Sequence, residues 1–146
     1  MNPNDPTREL VLQLIRTRMA FRQAVQRELK RNQVEMTFEM LQVMHPLWAR
    51  PGVSQQYLAE KTAKDKACLT NLINNLEKKG WVIRREDPAD RRNRLVYLTP
   101  GGEAMAAKVK PLLQKIYDRT GEGMNRKQTE ACLNHLRKFH ELLDKL

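Results

Sequence analysis

Apolar residues along this chain recur at steps of three and four, alternate briefly in the middle, and then return to helical spacing. From Thr7 to Asn32 no glycine or proline intervenes, and Leu10, Val11, Leu14, Ile15, Phe21, Val25 and Leu29 return at near-helical intervals between arginines. This spacing predicts one long amphipathic helix. Thr37 is placed to accept the free amides of a following turn, and Phe38, Leu41, Met44, Leu47 and Trp48 mark a second helix that Arg50-Pro51-Gly52 stops. Ser54 caps a short helix Gln55 to Thr62 with Leu58 and Ala59 turned inward. Asp65 caps the next, in which Cys68, Leu69, Leu72, Ile73 and Leu76 share one face and Gly80 supplies the left-handed residue that ends it.

At Trp81 the period changes. Trp81, Ile83 and Arg85 fall on one side and Val82 and Arg84 on the other, and Arg94 to Leu98 alternates again, which predicts two antiparallel strands. Between them, Asp87-Pro88-Ala89-Asp90-Arg91-Arg92-Asn93 is a polar tip rich in turn formers and arginine. Thr99-Pro100 then starts a helix through Met105, Val109, Leu112, Leu113, Ile116 and Tyr117, with a kink expected at Pro111. After Gly121-Glu122-Gly123 a last helix carries Cys132, Leu136, Phe139, Leu143 and Leu146 at alternating steps of four and three, a coiled-coil-like seam. The expected fold is mainly α with a small β-hairpin wing, a winged helix-turn-helix.

Composition narrows the partners. A chain of 146 residues, 40% hydrophobic and 30% charged, fits one globular domain and excludes a disordered tail or a large multidomain enzyme. The net charge of +10 favours a polyanion, nucleic acid before an anionic membrane. Half of that excess lies between Lys61 and Arg94, where ten basic residues face five acidic ones. No apolar run approaches the length of a membrane span, and Met1 to Glu9 is polar with no apolar export core, so no membrane partner and a cytoplasmic location are expected. Two cysteines, Cys68 and Cys132, are too few for a disulfide scaffold.

In that basic stretch the second helix of the pair is slim enough for the major groove of DNA. With its leucines and Ile73 turned to the core, its opposite face presents Lys66, Ala67, Thr70, Asn71 and Asn74, which supply donors and acceptors for base edges and a small apolar contact for a thymine methyl. Asparagine suits adenine, whose edge pairs one acceptor with one donor. Lys64, Lys78 and Lys79 suit phosphates, which fix register without reading sequence. The wing tip would bring Arg91, Arg92 or Arg94 to the adjacent minor groove, and Asp90 is spaced to orient Arg92 through a fork-like pair.

The segments Leu58-Ala59-Glu60, Leu76-Glu77-Lys78-Lys79-Gly80-Trp81-Val82, Asp87-Pro88-Ala89-Asp90-Arg91-Arg92 and Leu98-Thr99-Pro100-Gly101-Gly102 resemble those of MarR-type transcriptional regulators. The most specific part is Asp90-x-Arg92 followed by Leu98-Thr99-x-x-Gly102. The resemblance extends to the flanking helices. It implies an obligate homodimer, triangular in outline, built by the first and last two helices and placing two winged domains on a pseudo-palindromic operator. It further implies that Arg92 is the wing arginine and Asp90 its partner. The family often has arginine where this chain has Asn71, and Pro111 is a second departure. The expected organisation is a dimerisation helix at 1–36, a DNA-binding region at 37–100 and dimerisation helices at 101–146, one intertwined domain.

No catalytic constellation accompanies these features. His45, His135 and His140 lie in no Ser/His/Asp spacing, and Gly121-Glu122-Gly123 lacks the third glycine and preceding strand of a dinucleotide loop. No enzyme activity, cofactor or metal is expected. Cys132 and His135, three apart, have a spacing that fits two zinc ligands, against the commoner pairing of a core cysteine with a surface histidine. The peroxide-sensing cysteine that some relatives carry in the first helix is absent, and Cys68 is expected in the core. Phe21, Met44, His45 and Trp48 are candidates to line a pocket for a small aromatic or phenolic effector, with ordinary core packing as the competing reading. The leading expectation is a sequence-specific repressor, released from a double-stranded operator by a small ligand. The alternative is a winged-helix interaction adaptor without specific DNA binding.

Overall fold

The computed structural model describes residues 2–50 and 52–146. The elements run α1 (Pro6–Arg31), α2 (Phe38–Met44), a 3₁₀ turn (His45–Trp48), β1 (Val53–Ser54), α3 (Gln55–Thr62), α4 (Lys66–Lys78), β2 (Val82–Asp87), β3 (Asp90–Leu98), α5 (Pro100–Glu122) and α6 (Arg126–Asp144). The architecture is mainly helical with a small antiparallel wing, as the periodicities predict.

Local chemistry sets most boundaries. Asp5, Thr37, Ser54, Asp65 and Asn125 each accept a backbone amide of the first turn of α1, α2, α3, α4 and α6. Thr99 Oγ1 does the same for α5, accepting the Gly102 amide at 3.0 Å. Gly80, at φ +77°, closes α4: its amide donates to Glu77 O at 2.9 Å and the Trp81 amide reaches Leu76 O at 3.0 Å, which satisfies two otherwise orphaned carbonyls.

The element boundaries differ from the sequence reading in three places. The helix from Phe38 does not stay α-helical to Trp48: Pro46 has no amide to donate and the chain tightens into a 3₁₀ turn from His45. Pro51, part of the expected stop, lies outside the described residues. The polar tip is shorter than expected, because the strands continue through Asp90 to Asn93 and only Pro88 and Ala89 separate the paired residues Asp87 and Asp90. A third strand, β1, pairs Val53 with Val96 and Ser54 with Leu95, giving the order β1-β3-β2.

Two compact units divide the chain, one ending at Leu112 and the other Leu113–Leu146, the boundary falling one residue beyond Pro111 inside the continuous helix α5. In the first unit Val25 and Leu29 of α1, Leu41, Val43 and Met44 of α2, Leu58 of α3, Leu69, Ile73 and Leu76 of α4, Val82 and Val96 of the wing and Val109 of α5 are all almost fully buried. One stripe of each element thus supplies the core, and the remaining faces are free for solvent or partners. In the second unit α6 has no buried residue. Leu133, Leu142 and Leu143 are each about half exposed, and Leu136 and Phe139 only partly covered.

Candidate nucleic-acid interface

The helix pair α3 and α4 is joined by a short turn in which Ala63 adopts φ +53°, and Asp65 Oδ1 then accepts the Cys68 amide at 2.7 Å. With Leu69, Ile73 and Leu76 in the core, the rotation of 100° per residue determines everything else on α4. Lys66, Ala67 and Asn71 are exposed, and Thr70 and Asn74 are half-buried. Thr70 Oγ1 donates to Lys66 O at 2.8 Å, so this hydroxyl bonds its own helix. Cys68 is exposed, contrary to the expectation of a core position. It precedes Leu69 by one residue, a rotation that carries its thiol off the buried stripe.

The wing is held to α4 by Arg84 of β2, a residue the sequence reading assigned no role. Its Nε donates to Glu77 Oε1 at 2.6 Å, and a terminal nitrogen donates to Asn74 Oδ1 at 2.6 Å and Glu77 Oε2 at 3.3 Å. The side chain is only 17% exposed. The alternation of β2 already put Arg84 on the inward side with Val82, and that was the available signal. At the wing tip, Asp87 Oδ1 accepts the Ala89 amide at 2.9 Å and Asp90 Oδ1 accepts the Arg92 amide at 3.1 Å. The Asp90 contact is therefore with the Arg92 backbone, where the sequence suggested a fork with its guanidinium. Arg91, Arg92 and Arg94 are all exposed, as is Lys78 at the end of α4, whereas Lys64 is half-buried.

Charge near the pair is balanced by one notable carboxylate. Burial pushes the Glu39 carboxyl up, but the hydrogen bond from Arg22, its own backbone amide and the charges of Arg22 and Lys64 more than offset this and hold it below its ordinary value of 4.5. Lys64 thus has a nearby anion within the protein, while the wing arginines face water.

The four effector candidates have different surroundings among the described residues. Phe21 packs edge-on against Phe38 with centroids 5.9 Å apart, Met44 is fully buried, and His45 is exposed with its ring 4.9 Å from that of Trp48. Trp48 lines an open cleft of about 590 Å³, together with Leu47, Ala49, Arg50, Tyr97, Leu98, Glu103, Ala106 and Lys110. Lys110 Nζ lies 5.3 Å from the centre of the Trp48 ring. Cys132 and His135 are both exposed. Among the described residues no three His, Cys, Asp or Glu side chains gather as a metal site, and no helix is long and apolar enough to cross a membrane.

Comparison with known proteins agrees with this layout. The MarR family model matches residues 37–93. The transcriptional regulator HosA of Escherichia coli O111:H- is 31% identical over 105 residues, 72% of this chain and 78% of HosA. Bordetella bronchiseptica BpsR, whose DNA binding is regulated by 6-hydroxynicotinic acid, superposes with a TM-score of 0.80 at 26% identity, over 95% of this chain and 98% of BpsR. The repressor CouR, solved on a 23-mer DNA duplex, superposes at 0.81 with 24% identity, over 96% of this chain and 98% of CouR, and shows the fold alone.

Proposed function

The chain belongs to the MarR family of transcriptional regulators, and from that premise we propose that it is a repressor which binds a pseudo-palindromic operator as a homodimer and leaves it when a small aromatic effector binds. The observation that carries the DNA reading is the joint presentation of a polar α4 face, Lys66, Ala67 and Asn71, beside a wing whose Arg91, Arg92 and Arg94 are all exposed. The α4 face would take the major groove, with Thr70 and Asn74 at its margin. The wing would take the adjacent minor groove, where Arg92 is the principal cation and Asp90 holds the backbone that carries it. Lys64 and Lys78 would meet phosphates. The protein acts by binding, with no catalytic step, cofactor or metal, and its place of action is the cytoplasm.

Residues 37–100 would read DNA, and the segments 1–36 and 101–146 would dimerise. Support comes from where apolar surface is left uncovered: Leu10, Val11, Ile15 and Met19 on α1, and Leu133, Leu142, Leu143 and the terminal Leu146 on or just after α6, are all exposed in the single chain. A second copy is the partner that would cover such surface. For the effector, the cleft beside Trp48 offers two aromatic rings and the cations Arg50 and Lys110, a lining suited to an aromatic acid of the kind that regulates BpsR.

Footprinting on genomic DNA, with and without hydroxylated aromatic acids, tests the whole reading. A protected, roughly symmetric site that is released by one such acid is expected. On that site Asn71→Ala should weaken binding by about 1–3 kcal/mol and hardly affect random DNA, whereas Lys78→Ala should weaken both. Equal affinity for the site and for scrambled DNA would overturn the proposal in favour of an interaction adaptor.

A further inference from the structure

Helix α5 borders two clefts, one on each side. Glu103, Ala106 and Lys110 line the Trp48 cleft, whereas Met105, Lys108 and Leu112 line another of about 450 Å³. At 3.6 residues per turn the two sets fall on nearly opposite faces of the helix. The other walls of the second cleft are the α1–α2 connection, residues 32–35, and the joint where α4 passes into the wing, Lys79 and Trp81. That connection is a defined turn: Gln33 takes a left-handed backbone at φ +58°, and the Val34 amide reaches back to Leu29 O at 2.9 Å. The apolar lining is Val34, Trp81, Met105 and Leu112, each half-buried. Lys79 and Lys108 bring two positive charges against the single carboxylate of Glu35, a net of +1. Neither lysine has an ion-pair partner among the described residues. Lys79, grouped with Lys78 in the sequence reading as suited to phosphates, has its Nζ 5.0 Å from the centre of the Trp81 ring, a cation–π contact that holds it at the cleft. An ammonium has three donors, so contact with a ring leaves it able to bind an anion.

We propose that this cleft is a second ligand site, separate from the Trp48 cleft, which takes an aliphatic monocarboxylate of medium chain length. Lys79 and Lys108 meet the carboxylate, and Val34, Met105 and Leu112 flank the chain. The net charge of the lining selects a monoanion. The walls select its apolar part: the one ring of the lining already has an ammonium against it, and the other apolar residues are aliphatic, methionine being adaptable enough to follow an alkyl chain. The Trp48 cleft differs on this count, because it holds the two rings of Trp48 and Tyr97. A volume of about 450 Å³ is within the range of ligand clefts. The placement also matters for the fold. The Trp81 amide closes α4 on Leu76 O at 3.0 Å, and Trp81 O accepts the Thr99 amide at 3.1 Å, so a ligand held by Lys79 and Trp81 ties the end of α4 and the root of the wing to the α1–α2 turn. Binding here requires neither an operator nor occupation of the Trp48 cleft.

The test is calorimetric titration of the full-length protein with octanoate, decanoate and decanol, joined to photolabelling by a decanoate that carries a diazirine at its chain end. Decanoate should bind saturably, one molecule per chain, with a Kd below about 1 mM. Octanoate, two methylenes shorter, should bind about fourfold or more weakly, and decanol, without the charge, about fivefold or more weakly. Lys108→Glu should cost about fivefold or more in decanoate affinity and Lys108→Arg should retain it, while Lys110→Glu, on the opposite face of α5, should leave it unchanged. The label should fall on Val34, Met105 or Leu112. Titration and labelling of the parent need no variant, so a variant that fails to fold does not remove the test. Absence of saturable binding below about 1 mM, equal affinity for decanol, a label on the exposed leucines of α6, or loss with Lys110→Glu in place of Lys108→Glu would overturn the inference. Binding that weakens as protein concentration rises would give the cleft to a second copy of the chain and overturn it as well. None of these outcomes bears on operator binding, which footprinting reads separately.

Discussion

One methyl group at Gly102 probes the joint between the wing and α5. Gly102 lies in the first turn of α5, where its amide donates to Thr99 Oγ1 at 3.0 Å, Thr99 Oγ1 donates onward to the Gly80 carbonyl, and the Thr99 amide donates to Trp81 O at 3.1 Å. A Cβ added to Gly102 falls 2.0 Å from Trp81 O, 3.0 Å from Trp81 C and 3.1 Å from Leu98 Cδ2. Non-bonded carbons settle at about 3.5 Å or more, and a backbone carbonyl cannot rotate aside as a side chain can. The first turn of α5 must therefore retreat by on the order of an ångström, straining the three Thr99 bonds, each worth about 1 kcal/mol. Overpacking of this kind costs about 1–3 kcal/mol. Against it stands a gain of up to about 1 kcal/mol for replacing glycine in a helix. Net destabilisation of about 2 kcal/mol is expected for Gly102→Ala. Two further glycines of the same helix serve as controls. A Cβ on Gly101 meets Gly80 O at 3.1 Å, so Gly101→Ala should fall near neutral, and a Cβ on Gly121 meets nothing within 4 Å, so Gly121→Ala should stabilise by about 0.5 kcal/mol. Urea unfolding of the three variants at one protein concentration, with m unchanged, gives the comparison. A Gly102→Ala protein as stable as Gly121→Ala would refute the close packing of α5 on the Trp81 carbonyl.

Four further outcomes are expected. In the wing, Asp90→Asn keeps an oxygen for the Arg92 amide and removes a negative charge, whereas Asp90→Ala removes both, so titration on one operator should find the Asn variant the tighter binder; equal affinities for the two variants would show that the carboxylate acts by charge alone. Arg92→Ala should weaken binding and reduce the salt slope by roughly one unit per lost contact in each subunit, read from titrations at several salt concentrations. The double substitution of Leu136 and Phe139 by glutamate, on the least exposed stripe of α6, should leave a monomer in sedimentation where the proposed homodimer is expected for the parent, and lower operator affinity with it. Finally, because the Glu39 carboxyl is held below 4.5 in the folded chain, the stability it contributes is fully present above that value and is lost as pH falls through the lowered one; Glu39→Gln should flatten the acid side of the stability profile, measured by urea unfolding across that range.

What the sequence determined by itself was everything governed by local contacts. Thr37, Ser54, Asp65 and Thr99 announced helix starts because a cap bonds amides only two or three residues away, and Gly80 announced a helix end because its left-handed backbone is a property of one residue. The stripes on α4, with Lys66, Ala67 and Asn71 left outside, followed from the helical period. Even so, Pro46, read within a helix, tightened it into a 3₁₀ turn, and Cys68, placed in the core by loose periodicity, proved exposed by one step of rotation. Tertiary structure decided what depends on residues far apart in the chain. Val53 and Ser54 are a strand only because β3 offers them an edge, and two residues carry no periodicity of their own. Trp48 shares a cleft with Tyr97 and Lys110 because the 3₁₀ turn after α2, the wing and α5 meet there, not because of any spacing between them. Above all, composition counts Arg84 as one more positive charge and Asn74 as an amide with two equivalent faces. The fold turns the first inward against Glu77 and bonds it to the carbonyl of the second, since a hydrogen bond to a part-buried donor fixes an orientation that no sequence pattern encodes.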